Sequence, residues 1–430
     1  MDAISKIHEF EKFGSILGLE RMTSLMHELG DPQDDLKCIH VAGTNGKGSV
    51  CKYIYEILQA QGYRTGLYTS PYLEVFNERI ELDHEFISDE DLEVYTDRVL
   101  EKVKVLTDRG EDSPTEFEVI TAVAFLYFKE KAADFVVLEV GLGGIGDSTN
   151  VIKDPLVSVI TSISFDHTDR LGNTLAEIAG NKAGIMKKGC PCVTSARAEE
   201  ALHVFRFHSR ELGAELYETA DIEAEIVNES LSGTTFDVIL GARYLGLQIS
   251  MIGEHQVENA ICALKAIEVL QDDCEIEIGI DAIYEGLRRA KQIGRFEIMK
   301  KDPLVIIDGA HNPDGARTLR ETYEKLLSDK RILMLTGILK DKDTEHVIAE
   351  FRKIASDFVA TEPDNPRKLT APEFKALLEG TGAEAEAVPD INEALGRALI
   401  KAREENFDGV ICAGSLYLIG RLRTLLRKAF

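Results

Sequence analysis

From residue 38 nearly to the end of the chain, short apolar runs of strand length alternate with amphipathic helical patterns. No other feature narrows the fold as much. Alternation of this kind builds an α/β architecture with a mostly parallel sheet, because parallel strands need a crossover between them that is usually a helix. Candidate strands are 38–42, 65–69, 135–140 and 157–163. Ser113-Pro114-Thr115-Glu116 offers a capping serine, a proline at the first helical position and an early glutamate, which predicts a helix to about Lys131. Thr174-Leu-Ala-Glu177 marks the next helix start in the same way. A quieter middle alternates around 235–240 and 245–251 and leads to a helix over 256–270. A second α/β run follows Ile293-Gly-Arg-Phe-Glu297, with strands expected at 304–308, 332–336, 357–361 and 409–413. The domain boundary is expected between Arg295 and Asp302, dividing the chain into 1–296 and 297–430. Residues 383–388 are too short a biased stretch to count as low complexity.

A length of 430 residues is too great for one ordinary core and suits two or three domains. The formal net charge of −26 argues against nucleic acid or anionic membranes as general partners. An anionic substrate must then be held by local backbone N–H groups, metal ions and a few lysines or arginines. No apolar run approaches the roughly 20 residues that span a bilayer, and the first ten residues lack the pattern of a signal peptide. Seven cysteines are scattered, and Cys190 and Cys192 form only a C-x-C. Reduced thiols in a cytoplasmic protein are the expectation.

The sharpest local signal is His40-Val-Ala-Gly-Thr-Asn-Gly-Lys-Gly-Ser49. An apolar strand runs into Gly43, Thr44, Asn45, Gly46, Lys47, Gly48 and Ser49, and a helix with Val50, Ile54, Ile57 and Leu58 on one face follows. Glycines let backbone wrap a phosphate, a helix N-terminus offers unpaired N–H groups, and Lys47 adds positive charge. The spacing departs from the common G-x-x-x-x-G-K-[ST] loop, because Gly48 separates the lysine from Ser49. Three further strand ends carry metal-capable groups: Ser70, Glu139 and His167. Ligands gather at the carboxyl ends of parallel strands, so these could converge beside the loop. Each alone has a structural alternative: a turn cap, a lysine partner or a loop histidine. Gly141-Leu-Gly-Gly144 is a loop where backbone can approach a ligand. Lys182, in Gly180-Asn-Lys-Ala-Gly184, would by default be a solvated surface lysine. In the second run, Asp308-Gly-Ala-His311 ends a strand and reads as a contact to nucleotide or phosphoryl group, or as a capped turn.

Taken together, these segments resemble the folylpolyglutamate synthase and dihydrofolate synthase family, relatives of the Mur ligases. The likeness runs from Leu17-Gly-Leu-Glu-Arg21 through the loop, Thr69-Ser-Pro-Tyr-Leu73, Phe76-Asn-Glu-Arg-Ile80, Asp166-His-Thr168, Gly253-Glu-His-Gln256, Gly294-Arg-Phe-Glu297 and Asp308-Gly-Ala-His-Asn-Pro313. It implies an N-terminal P-loop ATPase-like domain with a mostly parallel sheet and a smaller, Rossmann-like C-terminal glutamate-ligase domain. By the same resemblance, residues 43–49, Asn259, Arg295 and Asp308 would contact ATP, and Lys47, Lys182 and His311 would act in catalysis. Ser70, Glu139 and His167 would hold one or two Mg²⁺, Lys182 would be carbamylated, and a monovalent cation is possible. Ser15, Ile16, Leu17, Thr115, Glu116, Phe117, Glu118, Gly146, Asp147 and Ser148 would line a pterin pocket. Two positions depart from the family pattern: Ile145 stands where an arginine is common, and Asn181 where a glutamate usually precedes the lysine.

The implied reaction adds L-glutamate to the γ-carboxylate of a reduced folate. ATP phosphorylates the carboxylate, the amine attacks the acyl phosphate, and ADP and phosphate leave. Dihydropteroate is a second candidate acceptor. Closure of the second domain would exclude water from the acyl phosphate. The alternatives are another Mur-type amino-acid ligase and a P-loop module that binds ATP without ligating. Only 42 residues precede Gly43, which disfavours the first. The expected partners are small molecules alone, with the protein a monomer.

Overall fold

The computed structural model describes residues 2–14 and 16–429. The chain forms two compact units: 1–225 with 236–248 and 258–290, and 291–430 with 226–235 and 249–257. The first contains an eight-stranded sheet. Its order is Glu85–Phe86, Ile80–Leu82, Thr65–Tyr68, Phe135–Glu139, Cys38–Ala42, Val157–Ile160, Cys192–Thr194 and Leu216–Glu218. The strands from Thr65–Tyr68 onward are parallel, and only the hairpin at one edge is antiparallel. Every residue of Cys38–Ala42, Phe135–Glu139 and Val157–Ile160 is buried, as expected for strands covered on both faces. The strand before the Gly-rich loop is therefore central, with Val41 opposite Glu139 and Ala42 opposite Ile160. Helices Asp89–Asp108 and Glu116–Glu130 help build the core on one face. Leu175–Ala183 and Glu199–Leu212 extend the core on that same face, because Cys38 of the first cluster and Ala42 of the second point to one side of their strand.

One expected helix start is corrected. The helix at 116 is capped by Thr115, whose hydroxyl accepts from Glu118 N while Glu118 accepts from Thr115 N. Ser113 lies outside it, because the reciprocal box needs a glutamate three residues beyond the cap. The start at Thr174 with Glu177 holds. The edge hairpin and the strands Cys192–Thr194 and Leu216–Glu218 have only two or three residues each, too few for a legible alternation.

The second unit holds a six-stranded sheet, in the order Glu297–Lys301, Leu304–Ile307, Gly409–Ala413, Ile332–Thr336, Asp357–Ala360 and Glu384–Ala387. The first pair is antiparallel and the rest parallel. The chain's last strand, Gly409–Ala413, fills the gap between Leu304–Ile307 and Ile332–Thr336. Residues passed over as biased sequence, Glu384–Ala387, are the edge strand, where alternating glutamates deter further pairing. A small sheet of Arg243–Ile249, Gly233–Ile239 and Ala224–Ser230 supplies residues to both units. No helix among the described residues is long and apolar enough to cross a membrane.

Candidate active site

The Gly-rich loop leaves the central strand and becomes the helix Lys47–Gln61, with Gly46 as its cap at φ +88°. Neighbouring strand-end residues tie the loop down. Thr44 N donates to Ser162 O (2.8 Å), Thr161 Oγ1 donates to Asn45 O (2.6 Å), and Thr44 Oγ1 donates to Ser164 O (3.1 Å). A Cβ on Gly43 would stand 1.7 Å from Thr161 Oγ1, and one on Gly46 would stand 2.5 Å from Asn259 Oδ1. The structure thus brings Asn259, from the helix Glu254–Asp272, against the loop. The first N–H groups of the helix lack intrahelical acceptors, as at any helix start, and favour an anion.

Two lysines meet at one carbonyl. Lys47 Nζ donates to Gly43 O and Thr44 O, both at 3.2 Å, and Lys182 Nζ donates to Gly43 O at 2.8 Å. Lys182 is only 4% exposed, which overturns the default of a solvated lysine. Burial, reinforced by Lys47 nearby, pulls its amine down from 10.5 to about 7. Such an amine has a substantial uncharged fraction near neutrality, and that fraction is a competent nucleophile toward a small electrophile.

Of the three strand-end groups, Ser70 and Glu139 are adjacent, with Ser70 N donating to Glu139 Oε2 at 3.2 Å. Glu139 is buried at the end of its strand. His167 caps the short helix Thr168–Leu171 at φ +50°, and its N–H donates to Asp166 Oδ1 at 2.9 Å. Among the described residues, three His, Cys, Asp or Glu side chains converge closely only at His8, Glu11 and Glu116.

The expected pterin residues fall in one neighbourhood, with Ser15 outside the described residues. Gly18 N donates to Gly146 O (3.1 Å), which lays 16–18 along the loop after Glu139, and the Phe117 ring abuts Gly141. Ile16 is exposed, whereas Asp147 and Ser148 are buried. Asp147 accepts from the Thr149 hydroxyl (2.6 Å), Thr149 N (3.0 Å) and Leu142 N (2.8 Å), so its carboxylate braces this loop. Burial raises its pKa against those bonds. Glu118 braces in a similar way: besides the capping box it pairs with Arg21, whose guanidinium also donates to Ile16 O. Glu116 is raised by burial, with Arg79 3.8 Å away opposing the shift. Arg21 and Arg79 had no assigned role, although both stand in segments that carry the resemblance.

In the second unit, Asp308 Oδ2 accepts from Phe296 N (2.7 Å) and Oδ1 from Ala310 N (2.8 Å). Burial raises its pKa, and Arg295 opposes the rise. Arg295 lies over Gly309, and His311 Nδ1 donates to Gly309 O at 2.7 Å. Asp308, Arg295 and His311 are thus one cluster. The buried hydroxyl of Thr336 ends one strand of the same sheet, and that of Ser415 lies two residues past the neighbouring strand Gly409–Ala413; neither carries a motif in the sequence.

Residues 41–267 match the Mur ligase middle domain, and 294–416 match the Mur ligase glutamate ligase domain. The fold and the loop are thus those of a Mur-type ligase. A dihydrofolate synthase/folylpolyglutamate synthase of Bacillus subtilis is 39% identical over 430 residues, covering 99% of each chain. The folylpolyglutamate synthase of Lacticaseibacillus casei is 34% identical, covering 99% of this chain and 98% of its own. The solved Mycobacterium tuberculosis folylpolyglutamate synthase, complexed with ADP and AMPPCP, superposes with a TM-score of 0.90 at 30% identity over 99% of both chains. The chain belongs to the folylpolyglutamate synthase/dihydrofolate synthase family of Mur ligases.

Proposed function

We propose that this protein uses ATP to add L-glutamate to the γ-carboxylate of a reduced folate, releasing ADP and phosphate. The observation that carries the proposal is the meeting of Lys47 and Lys182 at the Gly43 carbonyl of a helix-starting loop, in a chain that matches the family end to end. A carboxylate is a poor electrophile because it has no good leaving group. Phosphorylation by ATP supplies one, and the amine of glutamate then displaces phosphate. The protein positions the reactants and offsets negative charge. Lys47 and the first N–H groups of its helix face the terminal phosphates, and Asn259 flanks the loop.

Ser70 and Glu139 offer hard oxygen donors beside that loop, a set that fits Mg²⁺, with His167 as a further donor. The ion would offset charge on the phosphates. Lys182 is suited to carbamylation: its uncharged amine adds to CO₂, forming an N–C bond and releasing a proton. The product is an anionic group where the free amine now meets Gly43 O. In the second unit, Arg295 would meet the nucleotide, and His311, its Nδ1 proton fixed by Gly309 O, would present Nε2 toward the phosphoryl group. We read the protein as a cytoplasmic monomer.

Purified protein given ATP, magnesium and L-glutamate should release ADP when tetrahydrofolate is added, and the product should gain the mass of one glutamate residue. ADP release that ignores glutamate would favour a nucleotide-binding module without ligase activity. Dihydropteroate in the same assay tests the second acceptor. Ile145, 56% exposed in the loop braced by Asp147, is the position expected to weaken that reaction more than folate extension.

A further inference from the structure

The turn that carries Arg295 is held in a conformation that one of its residues, Phe296, does not favour. Gly294 has φ +69° and Phe296 has φ +41°, so Arg295 sits between two left-handed residues, one of them a buried aromatic. Bulky side chains rarely occupy that region, and such strain persists only where the surroundings over-determine it. Three ties do so. Phe296 N donates to Asp308 Oδ2 (2.7 Å), Gly309 N donates to Gly294 O (2.8 Å), and Gly294 N donates to Glu297 Oε2 (2.8 Å).

The last tie depends on where the Glu297 carboxylate is held. Arg423, on the helix Leu416–Ala429, grips it as a fork: Nε lies 3.0 Å from each oxygen and Nη2 lies 2.9 Å from Oε1. The Arg423 side chain is 13% exposed and that of Glu297 23%, so solvent screens the pair less than it would a surface ion pair. Next to Gly294, the turn places the Arg295 guanidinium over Gly309 and beside Asp308.

We propose that Arg423 and Glu297 are positioning residues that lock the 294–297 turn and thereby aim Arg295 at a nucleoside triphosphate. The inference rests on the reading of Arg295 as a nucleotide contact. In this inference both act through the turn and through Arg295, not by contacting the nucleotide themselves. Without the fork, Glu297 swings away, Gly294 N loses its acceptor, and the left-handed pair relaxes, carrying Arg295 off its aim.

The test is a double-mutant cycle on the full chain with Arg423→Met, Arg295→Met and both together. Affinity for AMPPCP is measured by calorimetry, and melting temperature is measured beside it. Arg423→Met should weaken AMPPCP binding about tenfold, the size expected for loss of a charged hydrogen bond. In the Arg295→Met background it should weaken binding no further, because the group it aims is gone. Its melting shift should be alike in both backgrounds. Independent effects that multiply, or unchanged affinity in Arg423→Met while Arg295→Met binds weakly, would overturn the inference and leave the nucleotide reading intact. Unchanged affinity in Arg295→Met would overturn both. If Arg423→Met does not fold, Arg423→Lys keeps the charge but loses the fork, and it enters the same cycle with the same outcomes.

Discussion

Each unit carries the same local plan, a buried parallel strand that runs into a polar turn and then a helix, but the two turns are held by opposite chemistry. In the first, Cys38–Ala42 leads to 43–46 and the helix Lys47–Gln61, and hydroxyls of Thr161, Thr44 and Ser162 lace the loop. Two lysines sit on its carbonyls. In the second, Leu304–Ile307 leads to 308–312 and the helix Pro313–Leu326; there Asp308 accepts from Ala310 N and from Phe296 N of the abutting 294–297 turn, whose Gly294 N is taken by Glu297. Ser162 also takes Thr44 N and Asn45 N, so what the first loop can present to an anion is the N–H groups at the start of its helix, beside the Lys47 ammonium. In the second unit the 294–297 turn, with Gly294 N and Phe296 N taken by Glu297 and Asp308, offers a phosphate the side chain of Arg295 instead.

The largest effect separating the two turns is expected at Lys47. Lys47→Ala removes the only positive side chain of the loop itself, and loss of such a transition-state contact lowers kcat on the order of 100-fold or more. Arg295→Met should act mainly on nucleotide affinity. Equal losses of kcat in both variants, measured as glutamate-dependent ADP release, would break the comparison.

Lys182 comes next. Lys182→Ala should be nearly inactive and should recover in part with formate, a small carboxylate standing in for the carbamate. A ¹³C carbamate signal from protein equilibrated with ¹³CO₂, absent from the variant, checks the modification itself. The amine is depressed to about 7, so between about 7 and 10.5 the unfolded chain binds more protons and stability rises with pH. In CO₂-free buffer, Lys182→Met should therefore melt higher than the parent below pH 7, and the gap should close toward pH 10. A gap independent of pH would show that the amine is not held uncharged.

A pair of glycines sharpens the contrast further. Gly43→Ala would drive a Cβ to 1.7 Å from Thr161 Oγ1, a buried hydroxyl committed to Asn45 O, at φ +149°. Neither neighbour can give, so a stability loss of about 2–4 kcal/mol is expected. At Gly309 the nearest atoms, Arg295 Nη1 and Leu416 Cδ2 at 2.6 Å, end flexible side chains. Gly309→Ala should cost less than about 1 kcal/mol because those ends can move aside, while AMPPCP affinity falls as Arg295 shifts. Denaturant titration of both variants measures the difference, and a Gly309 variant as unstable as the Gly43 one would sink it.

The same contrast explains what the sequence could disclose. The first turn is built from neighbours in the chain, so Gly43, Gly46 and Lys47 announced it, and the parallel strands around it were legible from their apolar runs. Lys182 was not legible as buried, because its partner, Gly43 O, lies 139 residues away. Arg423 reaches Glu297 across 126 residues from a helix with no motif. Glu118 and Asp147 were picked out as pocket residues, and each braces local backbone, a distinction set by hydrogen-bond geometry that residue type does not encode. The helix cap falls at Thr115 although Ser113, two residues earlier, with Pro114 after it forms an equally plausible local pattern.

The smallest expected effect is the counterpart of Lys182 in the second unit. Burial raises the Asp308 carboxyl above 3.8, against the pull of Arg295 and of the N–H groups of Phe296 and Ala310. A raised carboxyl means that the folded chain binds more protons than the unfolded one in the window just above 3.8. Stability then falls as pH rises through that window, opposite in sign to Lys182 and at a different pH. Asp308→Asn abolishes the titration, while its lost acceptor adds a constant, pH-independent offset. Other carboxylates titrate in both proteins and cancel in the difference, so the slope is the diagnostic quantity. Asp308 keeps partial solvent exposure, and the slope should be shallow. Denaturation followed upward from the ordinary carboxylate range should show the variant gaining on the parent as pH rises through the window just above 3.8. Parallel curves would mean that Asp308 titrates as an ordinary carboxylate, and that its hydrogen bonds and Arg295 fully offset its burial.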